Sequence, residues 1–339
     1  MSVRQAQLLF VIGSDELAGT TAQGQPRYAG CTDLHRLFDG REPTHLLRID
    51  RHALRQRKRP ELQPYRCVLN LITDPDQNPR TLDNLKKLLR DYQGTVLNRP
   101  EAVLSSTRDQ VARLLDGIPG LIAPKVVRVR NPRPDLVVQA IERAGSSFPL
   151  IVRLAGTHTG RILGLFDNMT DLRAAVTAPD EHIITEFVDC RGSDGIYRKY
   201  RAFFFGKSIV FRHMLTSDQW NIHARDRMRF MAERPDLLAE EAALFERPEG
   251  PFPPDVLRTL EAVRDRMPLD YFGMDFGIAP DGRVVLFEAN ATMNFFPYVD
   301  DPRFAYVKGC RRPAARAFHA MLGCANEVRP LPFQLAPVR

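Results

Sequence analysis

Lysine is scarce in this chain of 339 residues: only seven of its 48 cationic side chains are lysine and the rest are arginine. An arginine is therefore to be expected where a related site carries lysine. No apolar run approaches the ~18–20 residues of a helical membrane span, which excludes a helical membrane protein. The start, residues 1–13, has an apolar stretch of six residues and no small-residue cleavage site, so a first strand is expected there rather than a signal peptide. Cysteines are few and far apart, at 31, 67, 190, 310 and 324. No pair has a metal-clip spacing, and reduced thiols in a cytoplasmic protein are expected. No Gly-x-Gly-x-x-Gly follows the first strand, which removes the dinucleotide fingerprint. Neither a zinc finger nor an RNP-type strand accompanies the basic run Arg51–Arg59, so a solvated face is expected there and nucleic acid is not expected as a partner.

The composition that remains is globular, 44% hydrophobic and 26% charged, with a net charge of +7 that favours anionic partners. The length allows two or three domains. Strand patterns at Leu8–Ile12, Thr44–Ile49, Cys67–Thr73 and Thr95–Leu97 alternate with a helical pattern at Thr81–Tyr92, which predicts a parallel, doubly wound sheet. A helix over Ser105–Leu115, with Ser106 or Thr107 as its cap, precedes a break at 116–120. An α+β unit follows: strand Lys125–Val129, helix Asp135–Ala144, strand Leu150–Leu154, a loop of small residues, and a further strand and helix to Ala175. Strands are expected at Ile183–Val188, Arg201–Phe205 and Ser208–Phe211, with Gly206-Lys207 as a hairpin turn. Residues 229–256 read as an exposed insertion. The amphipathic helix Asp255–Met267, the hairpin Tyr271–Ile278 with Arg283–Glu288, and the helix Arg312–Leu322 complete the chain.

That hairpin carries the most chemistry. Asp275 lies in one strand, and Glu288 and Asn290 end the other. Residues two apart on a strand share a face, and a turn at 280–282 sets Asp275 opposite the region of 287–289. Two carboxylates and an amide form a hard oxygen set suited to Mg²⁺. Upstream, Arg153 closes a strand before Gly156-Thr-His-Thr-Gly160, a small-residue loop whose amides suit phosphate oxygens. His158 within that loop is a phosphate donor or simply an exposed histidine. Residues 183–188 are an apolar strand leading through Glu186.

Taken in this order, the chain resembles the ATP-grasp superfamily of carboxylate–amine ligases over roughly residues 95–325, most specifically at Asp275 with Glu288-Ala-Asn290. The resemblance implies an α/β and α+β architecture: a pre-ATP-grasp parallel-sheet domain over 1–118, a small lobe over 119–185, a large lobe over 186–326 and a tail over 327–339. It also implies that Asp275, Glu288 and Asn290 hold Mg²⁺, two ions in all, against the phosphates of ATP. Arg153 matches the cation on the α- and β-phosphates, Gly156, Thr157, His158, Thr159 and Gly160 the lid, and Glu186, Phe187 and Val188 the adenine hinge. Arg201 matches the arginine facing the γ-phosphate or acyl phosphate. Gln110 stands where lysine is expected, so the first phosphate cation must come from Arg113 or be absent. Lys199 stands where an acid is expected, leaving Asp189 or Asp194 for the ribose. The implied activity activates a carboxylate as an acyl phosphate and joins it to an amine, releasing ADP and phosphate, with small-molecule substrates and homodimers among relatives. The alternatives are a peptide- or protein-modifying ligase, in which residues 215–255 grip a chain, and a non-catalytic nucleotide- or nucleic-acid-binding protein.

Overall fold

The computed structural model describes residues 8–20, 26–40, 42–55, 60–130, 133–156, 162–176 and 181–323. The first apolar run forms β1 (Leu8–Ser14). A short hairpin of β2 (Leu17–Thr20) and β3 (Pro26–Tyr28) follows, then β4 (Thr44–Asp50), β5 (Cys67–Asn70), α1 (Pro79–Leu88) and β6 (Thr95–Leu97). The sheet order is β4-β1-β5-β6 and every pairing is parallel. β5 is buried throughout, as a parallel strand covered on both faces must be. Next come α2 (Pro100–Leu104), α3 (Arg108–Leu115) and β7 (Leu121–Ile122). Thr107 precedes α3 in an extended conformation, and its hydroxyl donates to Asp109 at 2.9 Å.

The second sheet is antiparallel, in the order β10-β9-β11-β8. Its elements are β8 (Val126–Val129), α4 (Pro134–Ala144), β9 (Leu150–Leu154), β10 (Ile162–Phe166), α5 (Met169–Ala175) and β11 (His182–Glu186). Val137 and Ile141 of α4 and Leu172 of α5 pack on Leu150 and Val152 of β9. Gly145 ends α4 at φ +59°, a conformation that glycine adopts without steric cost.

The third sheet contains β12 (Tyr197–Phe205), β13 (Ser208–Ser217), β14 (Tyr271–Ile278) and β15 (Val284–Asn290), ordered β13-β12-β14-β15-β7. All pairings are antiparallel except that of β7 on β15. Its core is aromatic: Phe203, Phe204, Phe205, Phe272 and Phe276 are all buried, and the Phe204 and Phe272 rings stack 4.4 Å apart. α6 (Pro235–Ala242), α7 (Pro254–Arg266) and α8 (Arg311–Gly323) pack around it.

The expectation of an exposed insertion at 229–256 is overturned. A π-turn at Arg227–Met231 and α6 dock on β13, with Met231, Leu237 and Leu244 buried. The segment reads as polar in part because its Glu241 is neutralised out of solvent by Arg227, which lies just before it. Arg227 donates to both Glu241 oxygens at 2.6 Å, and the Tyr306 hydroxyl and Met214 amide complete that carboxylate.

A buried polar clasp fixes the first sheet to the third. Asn98, at φ +52°, accepts from the amides of Asp270 and Tyr271 and donates to the Tyr271 carbonyl, while the Tyr271 hydroxyl donates to the Asn70 carbonyl. Asp33 accepts from the amides of Phe295 and Phe296, tying the loop after β15 to the same unit. No helix among the described residues is long and apolar enough to cross a membrane.

Candidate active site

β13, β12, β14 and β15 lie side by side, and one transverse row crosses all four. His213 is opposite Arg201, Arg201 opposite Asp275, and Asp275 opposite Glu288. Directly opposed residues share a face. The hairpin ladders both step at this row, with β-bulges between Arg201 and Ala202 and between Asp275 and Phe276. An unbulged β14–β15 ladder would put Asp275 opposite Phe287; the extra residue brings Glu288 there instead.

Each carboxylate of the row is held by an arginine. Arg201 grips Asp275 as a fork, Nε to Oδ1 at 2.6 Å and Nη2 to Oδ2 at 2.8 Å. Lys199 donates to the Ile222 carbonyl at 2.7 Å and lies 3.9 Å from Asp275 Oδ2. Arg108, at the start of α3, pairs with Glu288 Oε1 at 2.6 Å and donates to the Phe287 carbonyl at 2.7 Å. Burial alone would raise both carboxylates, but the neighbouring cations prevail. Arg201 and Lys199 hold Asp275 below its ordinary range, and Arg108 and Arg153 do the same for Glu288.

Arg153 reaches this cluster from β9 of the second sheet. Its Nε is buried and has no hydrogen-bond partner among the described residues. Repulsion from Arg108, then burial, hold it below the ordinary range of arginine, with Glu288 opposing. A pressed guanidinium beside Glu288, its Nε without a partner among the described residues, is suited to an anion that arrives with a cation, as the phosphates of a Mg²⁺–nucleotide do.

Asp275 and Glu288 fit a divalent cation, since hard carboxylate oxygens leave the remaining positions to water and phosphate. Asn290 stands beside Glu288, but with its Nδ2 donating to Glu288 Oε1 at 2.9 Å and its Oδ1 accepting from the amides of Thr292 and Met293 at 2.9 and 3.0 Å. It ligates a metal only with that amide turned over. No cluster of three or more histidine, cysteine or acidic side chains suited to a metal occurs among the described residues.

The other expected residues are placed as follows. Arg113 lies five positions beyond Arg108 on α3, on another side of the helix. It is 64% exposed and pairs with Asp109 at 2.9 Å. Asp109 also meets Arg128, which faces Asp76 and Glu181 as well. Gly156 has φ +68°, and its carbonyl accepts from Gln77 Nε2 at 3.0 Å. Thr157, His158, Thr159 and Gly160 lie outside the described residues. At the hinge, the Glu186 amide donates to the Lys125 carbonyl and the Phe187 amide to the Pro149 carbonyl. The Glu186 carboxylate accepts from the amides of Lys125 and Ser147. Val188 makes no backbone hydrogen bond among the described residues. Trp220 packs edge-to-face on Phe187 at 5.8 Å.

Phe295, Phe296 and Tyr298 pack on one another with ring centroids 5.2–6.2 Å apart, and Phe295 is wholly buried. Of the basic run at 51–59, Arg51 lies 3.7 Å from Glu16, and residues 56–59 fall outside the described residues. Cys31, Cys67, Cys190 and Cys310 are free thiols, and burial pushes Cys31 up to about 11 and Cys67 to about 12.

Sequence reasoning did not assign Arg108, Arg212 or His213 to the site. The Gly206-Lys207 turn carried a usable signal for the last two: counted back from it, a regular ladder sets Arg201 opposite Arg212, and the bulge moves the pairing to His213.

No protein-family model matches the chain, and no curated protein matches it in sequence. Solved structures do match. D-alanyl-alanine synthetase A from Vibrio cholerae is similar with a TM-score of 0.56 at 11% identity, over 96% of this chain and 98% of that one. The VanG D-Ala:D-Ser ligase from Enterococcus faecalis gives 0.52 at 12% identity, over 95% and 100%. The RiPP-associated ATP-grasp ligase from Chryseobacterium gregarium, in complex with ADP and a leader and core peptide, gives 0.51 at 12% identity, over 95% and 98%. What these chains share at such identity is architecture, and it is the one that the hairpin motif implied: this chain has the ATP-grasp fold.

Proposed function

We propose that this protein is an ATP-dependent ligase that activates a carboxylate as an acyl phosphate, joins it to an amine, and releases ADP and phosphate. The observation that carries the reading is the in-register row Arg201–Asp275–Glu288, faced from another sheet by Arg153, whose Nε has no partner among the described residues. On this reading the units are a pre-ATP-grasp domain (1–118), a small lobe (119–185), a large lobe (186–326) and a tail (327–339). ATP lies between the second and third sheets.

Asp275 and Glu288 are the carboxylates that would hold Mg²⁺, two ions in the fullest form of the proposal, with Asn290 joining if its amide turns over. The metal supplies charge neutralisation at the phosphates. Arg153 binds phosphate oxygens, and the Gly156–Gly160 loop wraps them and excludes water from a hydrolysable intermediate. The backbone at Val188 reads adenine. Arg201 exchanges part of its grip on Asp275 for the phosphoryl group in transfer, stabilising charge as it develops.

The acid and the amine are carried by metabolites or by a peptide, and one structure sharing the fold holds a peptide. ADP release measured across amino acids, carboxylates and short peptides, followed by mass spectrometry of the product, tests the reading. Nucleotide binding with no ADP release for any pair would favour a non-catalytic role.

A further inference from the structure

Among the described residues, most arginines withdrawn from solvent have carboxylates beside them. Arg108, Arg128, Arg198, Arg201, Arg227 and Arg264 each ion-pair with an aspartate or glutamate. Among the described residues, two arginines that are not exposed lack such a partner, Arg153 and Arg212. The first is accounted for by phosphate. The second is not.

Arg212 is only 6% exposed. Its Nε donates to the Phe295 carbonyl at 2.8 Å and its Nη2 to the Pro297 carbonyl at 3.2 Å, and the guanidinium lies 4.5 Å from the centre of the Tyr298 ring. These contacts fix its orientation and offset part of its charge, but none of them is a counter-ion. Nη1 makes no hydrogen bond among the described residues. A buried cation with no counter-ion is costly, and burial together with Arg201 and Arg227 presses Arg212 below its ordinary range. Such a group is at ease once an anion reaches it.

Its place in the fold gives that anion a direction. Arg212 is the residue that the β13 bulge adds between Phe211, opposite Ala202, and His213, opposite Arg201. Two residues of a bulged strand oppose one on its neighbour, so Arg212 and His213 together face Arg201 at the end of the carboxylate row. His213 brings a second open group there, since its Nε2 is buried without a partner among the described residues.

We propose that Arg212 is a carboxylate anchor, and that the acid activated by this protein carries two carboxylates. One is presented beside Arg201 for phosphoryl transfer. The other is held by Arg212 Nη1, with His213 beside it. The proposal rests on the ligase reading above and narrows its substrate to dicarboxylic acids such as acidic amino acids.

Equilibrium binding tests it. L-glutamate and L-aspartate, each with both of its monoamides, are titrated by calorimetry onto the full chain with MgADP. At least one monoamide of each pair should bind tenfold or more weakly than the diacid, the worth of one charge-assisted hydrogen bond. Arg212→Gln should close that gap, and Arg212→Lys, which keeps the charge without the planar fork, should close it partly. Unchanged ADP affinity in both variants shows that they are folded. Wild-type protein that binds diacids and monoamides equally, or neither diacid at all, overturns the proposal, as does a preference that survives Arg212→Gln. The ligase reading fails separately: a diacid bound with this preference but never yielding ADP from ATP supports the anchor and contradicts the ligase.

Discussion

Asp275 and Glu288 face each other across β14 and β15, and each is already held by an arginine, Asp275 by the Arg201 fork and Glu288 by Arg108. Two ionised carboxylates side by side repel, and the guanidiniums allow both to stay charged. A divalent cation bound here must share these oxygens with the arginines. Replacing Glu288 by Gln removes one charge while keeping the shape. ADP release by Glu288→Gln is expected to fall below detection in a coupled assay at saturating Mg²⁺. Turnover like that of the wild type would remove Glu288 from the metal site.

Arg153→Ala is expected to raise the dissociation constant for ATP about 10–100-fold, the equivalent of the ~1.5–3 kcal/mol assigned to a hydrogen bond with a charged group. Calorimetry with MgATP measures this directly. An unchanged constant would return Arg153 to a structural role.

The Arg227–Glu241 pair supports a stability prediction. Glu241 has no exposed surface, and both its oxygens meet Arg227 at 2.6 Å. Glu241→Ala leaves that guanidinium buried and uncompensated, at a cost of about 3–5 kcal/mol. The urea midpoint should fall accordingly. A variant with the wild-type midpoint would show that the segment after β13 is not held by this pair.

His213 predicts a pH dependence of stability. Burial, then Arg201, Arg212, Arg227 and Lys199, hold the imidazole well below 6.5 in the folded chain. As pH falls, the unfolded chain therefore takes up this proton first. The contribution of His213 to stability is complete above about pH 6.5 and declines below it, by up to about 1.4 kcal/mol per pH unit. Between pH 7 and 5, the melting temperature of His213→Gln should fall less than that of the wild type. Parallel curves would mean that His213 titrates alike in both states.

Much of this was legible in the sequence, for identifiable reasons. Apolar runs bounded by turns placed Thr95–Leu97, Leu150–Leu154 and Tyr271–Ile278 with the bounds observed. The Pro280-Asp-Gly282 turn set Asp275 against 287–289. What escaped were features in which charge is buried or a ladder slips. The Arg227–Glu241 pair made a docked segment look exposed, because composition does not record which charges meet. The bulges decided between Arg212 and His213, and a bulge has no marker in these strands. Arg108 falls within the helix expected over Ser105–Leu115, and nothing local links it to Glu288, 180 residues away.

The central claim is that a carboxylate attacks the γ-phosphate of ATP beside Arg201. Hydroxylamine supplied with ATP, Mg²⁺ and the correct acid should trap a hydroxamate, with ADP as the nucleotide product. Arg201→Ala should suppress the hydroxamate while ATP still binds. AMP and pyrophosphate as products, with an ¹⁸O-labelled carboxylate passing its label to AMP, would contradict the account.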